Sequence, residues 1–73
     1  MNIKQLSDIV SDKTKNALIV EHPIFTGRID IYVPAKSIEI LTYELSLVMP
    51  ISIAWRVLLL DRDDINGIVH SIL

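Results

Sequence analysis

The chain changes its hydrophobic period several times, and each change marks an element. In residues 3 to 15, Ile3, Leu6 and Val10 recur at helical spacing with Ile9 beside them. Asn2 precedes this run and Gln5 stands three residues after it, the reciprocal pattern that satisfies the first free amides of a helix. Lys13 and Lys15 suit the negative end of the helix dipole, and Asn16 suits a left-handed stop. Residues 17 to 21, ALIVE, then form a short apolar run that reads as a strand, broken by His22-Pro23. The loop HPIFTG closes at Thr26-Gly27. RIDIYV, residues 28 to 33, alternates: Ile29, Ile31 and Val33 on one face, Arg28, Asp30 and Tyr32 on the other. The two strands predict a hairpin.

Residues 38 to 48 carry both periods. Leu41 to Leu47 alternate as a strand would, while Ile38, Leu41, Leu45 and Val48 share one helical face. Ser37 is a candidate cap, Glu39 suits a first turn and Pro50 ends the segment. Helix is the expectation, because strand-helix-strand builds a compact sheet. The alternative is a β-hairpin over residues 40–60 and a more β-rich fold.

Residues 51 to 60 predict the last strand. Both of its faces are mostly apolar, so a central position covered on both sides is expected. Residues 62 to 73 predict a closing helix, with Asp61 as cap and Ile65, Ile68, Val69, Ile72 and Leu73 on one stripe. Asn66-Gly67 is a hairpin signal elsewhere, but the helical period is taken to override it. The expectation is an α+β fold in one small domain, order αββαβα, with helices packed on a three-stranded sheet.

Composition changes this picture in one respect. The chain has 73 residues, 51% of them hydrophobic, and a mean hydropathy of +0.45. A chain this short hides only about 60% of the surface its unfolded form exposes. Small domains supplement a thin core with disulfides, a metal or a partner subunit. There is no cysteine, which excludes disulfides and the common zinc frameworks, and only His22 and His70 could offer imidazole. A partner subunit remains, and a two-fold homodimer is the commonest closed form. The first residues lack the long apolar core of a signal peptide, and the window from 45 to 60 is shorter than the roughly 20 residues a bilayer crossing needs. A cytoplasmic protein away from membranes is expected.

The net charge of −2 is spread along the chain. Lys4, Lys13, Lys15, Arg28 and Lys36 would have to converge for the chain to be a nucleic-acid-binding module, and the sequence has no basic stripe. Asp61, Asp63 and Asp64 could hold a magnesium ion in a small metal-dependent enzyme, although helix starts attract Asp for capping alone. No serine stands in a nucleophile elbow, and Gly27 and Gly67 are the only glycines, too few for a phosphate loop. No enzyme activity, cofactor or metal is expected.

Arg56 is the anomaly, a permanent charge inside ISIAWRVLLLD. It calls for a carboxylate, and Asp30 on the neighbouring strand or Glu44 on the helix are the candidates. Alternatively it lies at an interface, where arginine is enriched. The expected function is that of a non-enzymatic protein-interaction module: a homodimeric regulator, inhibitor or assembly factor that binds another protein. Its expected interface residues are Trp55, Arg56, Ile40, Tyr43 and Leu47, beside an uncovered sheet edge.

Overall fold

The computed structural model describes residues 2–22 and 27–60, together with the backbone of 68–72. The elements are α1 (Ile3–Lys13), β1 (Ala17–His22), β2 (Arg28–Val33), α2 (Ala35–Val48), β3 (Ala54–Leu59) and β4 (Ile68–Ile72). The α+β class and the order α-β-β-α-β are as the sequence predicts, and the hairpin alternative for 40–60 does not form. The closing helix is corrected: residues 68–72 are a strand. The sheet therefore has four strands in the order β3-β2-β1-β4. Three apolar residues in a five-residue segment fit either period, and the β-branched Ile68, Val69 and Ile72 favour the extended form when a strand edge is available. That edge is β1, which pairs antiparallel with β4 from Ala17↔Ile72 to Glu21↔Ile68. Asp61, expected as a helix cap, lies outside the described residues.

α1 begins with the expected reciprocal cap. The Gln5 amide donates to Asn2 Oδ1 and the Asn2 amide to Gln5 Oε1, both at 2.9 Å. The helix ends at Lys13 with Thr14 as an extended cap. Asn16 is not left-handed, since no described residue except Gly27 has positive φ. Gly27, directly before β2, sits at φ 58, a conformation in which a side chain would be strained.

β1 and β2 pair antiparallel, and β2 and β3 pair parallel with Asp30 opposite Arg56. Parallel neighbours need a crossover, and α2 supplies it. This corrects the position of β3. One side of β2 is already taken by β1, so β3 is left on the sheet edge rather than in its centre, with Ala54, Arg56 and Leu59 exposed. Both helices pack on one face of the sheet. Leu6 and Val10 of α1 and Leu41 and Leu45 of α2 meet Ala17, Ile19, Ile31 and Val33 in one buried cluster, with Trp55 and Val57 of β3 at its margin. Strand alternation sends Val20, Asp30 and Arg56 to the other face. No helix among the described residues covers that face, yet Val20 and Asp30 are buried there.

Candidate functional site

Three features stand out from the layers: a charge cluster on the helix-free face of the sheet, an apolar stripe on α2, and a basic cleft between the helices.

Asp30 is the centre of the first. It lies on the inner strand β2 and is only 1% exposed. Arg56 on β3 donates from Nε to Oδ1 at 3.0 Å and from Nη2 to Oδ2 at 3.2 Å. Arg28, two residues earlier on the same face of β2, makes the same fork at 3.0 and 3.3 Å. His22 of β1 places Nε2 3.1 Å from Oδ2. Burial alone would raise the Asp30 pKa. The hydrogen bonds and charge of Arg56, and then of Arg28, outweigh it and hold the carboxyl below its ordinary value. The same bonds, aided by the charge of Asp30, raise the pKa of Arg56. Asp30 is thus the partner that Arg56 required; Glu44 instead sits 3.5 Å from Lys13 of α1. Sequence reasoning missed the other two members. Arg28 was signalled by its period-2 spacing from Asp30, whereas His22 enters only through the hairpin register. The cluster joins three strands, and its carboxylate is forked by two guanidinium groups with His22 beside them, which suits structural cohesion rather than proton transfer.

The expected interface residues do not form one surface. Ile40, Tyr43 and Leu47 do share a face of α2 and are 43%, 60% and 63% exposed. They lie away from the buried row of Ser37, Leu41 and Leu45. Trp55 is half-buried against the core, opposite Ile29. Arg56 is on the far face of the sheet, held by Asp30.

The basic residues converge only in part. Lys13, Lys15 and Lys36 line a cleft of about 400 Å³ between the end of α1 and the start of α2. Lys4 is in the first turn of α1 and Arg28 is on β2. Among the described residues no group of three or more His, Asp or Glu is placed to hold a metal ion; Asp61, Asp63 and Asp64 lie outside them. No helix among the described residues is long and apolar enough to cross a membrane. No protein-family model, curated protein or solved structure matches the chain.

Proposed function

We propose that this chain is a non-enzymatic protein-interaction module, active in the cytoplasm as a two-fold homodimer that binds and regulates, inhibits or helps assemble another protein. The observation that carries the proposal is the apolar stripe of Ile40, Tyr43 and Leu47 on the outer side of α2, more than two-fifths exposed at every position. A helix of a small domain gains nothing from three large apolar side chains in water, and such stripes mark contact surfaces. Their spacing of three and four residues keeps them on one side of the helix.

A second copy is the occupant that fits. The stripe is close to a palindrome centred on Tyr43. An antiparallel pair of α2 helices related by a two-fold axis sets Ile40 of one copy against Leu47 of the other, two aliphatic groups of similar volume, with the tyrosines at the axis. That is the self-complementarity an isologous interface requires. The homodimer leaves the strand edges of the sheet for a further protein, which can add a strand there.

Sedimentation velocity at micromolar concentration tests the dimer. The expected species has twice the 8.3 kDa mass of one chain. Leu47→Glu should return it to a single chain without unfolding it. A sharp 8.3 kDa boundary for the parent protein defeats the proposal.

A further inference from the structure

We propose that the cleft between the end of α1 and the start of α2 binds a phosphate-type oxyanion, held by the free amides of α2, the Ser37 hydroxyl and the ammonium groups of Lys15 and Lys36. The start of α2 is built against its own dipole. Pro34 occupies the cap position, where it has no side chain able to accept a hydrogen bond, and the first turn holds no acidic residue. Lys36 stands at the second helical position, adding positive charge to the positive end of the helix. The Ser37 amide turns back to the Pro34 carbonyl at 2.9 Å. The Ala35 and Lys36 amides, which precede it, have no partner among the described residues.

Ser37 is the independent observation. It is 4% exposed, yet its hydroxyl makes no hydrogen bond among the described residues. Largely buried hydroxyls in helices ordinarily find an acceptor; in the same helix even the exposed Thr42 donates to the Ile38 carbonyl at 2.7 Å. No fully occluded side-chain oxygen is left without a partner among the described residues, so the Ser37 hydroxyl keeps its small accessible surface, and Ser37 lines this cleft. Thr14, 8% exposed, lines it from the opposite wall. Its Oγ1 accepts from the Asn16 amide at 3.4 Å, which leaves its proton to donate.

The lining of the cleft is rich in donors and has no carboxylate. Lys13 and Lys15 also answer the negative end of α1, but Lys36 has no such reason to be there. Lys13 is already engaged by Asp12 at 3.6 Å and Glu44 at 3.5 Å, whereas Lys15 and Lys36 make no ion pair among the described residues. Backbone amides at a helix start, hydroxyl donors and ammonium groups are the combination that recognises a tetrahedral oxyanion. The site does not depend on self-association.

Titration of the ¹⁵N-labelled chain with inorganic phosphate at constant ionic strength tests this. Saturable shifts centred on the Ala35, Lys36 and Ser37 amides are expected, with no such response to chloride. Lys36→Glu should weaken binding by at least about tenfold and Ser37→Ala by about three- to tenfold. Lys4→Glu, outside the cleft, should change it less than about twofold. A parallel titration with glycerol phosphate separates a free anion from a phosphate monoester as the better ligand, and saturation by either at these amides supports the site. Shifts that stay linear to roughly 10 mM, spread over all lysines, or survive Lys36→Glu would overturn it.

Discussion

Replacing Arg56 with methionine tests the charge cluster most directly. Methionine keeps an unbranched stem against the sheet but removes both bonds to Asp30, at 3.0 and 3.2 Å. Removing one member of a fully buried pair is worth about 3–5 kcal/mol, because the survivor is left without its counter-charge. Two features reduce that figure here. The Arg56 side chain is 49% exposed, so water already screens its outer part. Arg28 and His22 stay within 3.0 to 3.3 Å of the carboxylate. A loss of about 2 kcal/mol is therefore expected. A chain of this size has total stability of about 4–11 kcal/mol, so the effect is large. With a urea slope of about 1 kcal/mol/M, the unfolding midpoint should fall by roughly 2 M. The assay is urea unfolding at several protein concentrations, since self-association would make apparent stability concentration-dependent. Asp30→Asn completes a double-mutant cycle, and a coupling of about 1–2 kcal/mol is expected. A midpoint for Arg56→Met within about 0.5 M of the parent, or a coupling near zero, would refute the reasoning. Unchanged stability with weakened association would make Arg56 an interface residue instead.

Two further predictions follow from burial and charge. The folded state holds the Asp30 pKa below its unfolded value, so its contribution is complete above the ordinary carboxylate range, near pH 4, and is lost as pH falls through the lowered folded value. The parent should lose stability below about pH 4 more steeply than Asp30→Asn, and parallel acid-unfolding curves would count against the assignment. Leu41 is fully buried and Leu47 is 63% exposed on the same helix. Leu41→Ala should cost about 2–5 kcal/mol in urea unfolding, and Leu47→Ala less than about 0.5 kcal/mol in the dissociated chain; equal losses would contradict the packing of α2.

The elements most legible in the sequence are those whose period admits one reading. Ile29, Ile31 and Val33 alternate against Arg28, Asp30 and Tyr32, and β2 spans those six residues. Asn2 and Gln5 announced the start of α1. The middle helix was recognised, but its start was set too late. Ala35 and Lys36 are helical, which moves Ser37 from the cap to the third position and Glu39 beyond the first turn. Proline at the cap concealed that start, because it offers no side-chain bond to recognise. Ile68–Ile72 was misread because its few apolar residues fit a helical stripe as well as a strand, and only the free side of β1 decides between them. The strand preference of Ile68 and Val69, directly after Asn66-Gly67, was the available signal. Edge or centre cannot be read from β3 alone. Its greasy composition reflects a helix on one face and a half-buried Leu58 on the other, not neighbours on both edges.

The guanidinium within that greasy strand has a reason that follows from topology. β2 pairs antiparallel with β1 and parallel with β3, and the parallel pairing is slightly the weaker of the two per residue. No tight turn fixes the β2–β3 register, because fourteen residues of α2 intervene. An apolar strand such as β3 would also tolerate a slip, since hydrophobic contacts are non-directional. A slip by one residue would turn Arg56 toward the core beneath α2, and a slip by two would carry it about 6.6 Å from Asp30. Either move breaks the fork and leaves a buried carboxylate short of its donors. The same carboxylate also holds His22 on β1, so one residue on β2 ties both of its neighbouring strands. The charge that looks misplaced in the sequence therefore gives a non-directional strand a single register. With Arg56 engaged in that task, the surface left for the proposed self-association is α2, whose exposed stripe has no comparable structural use.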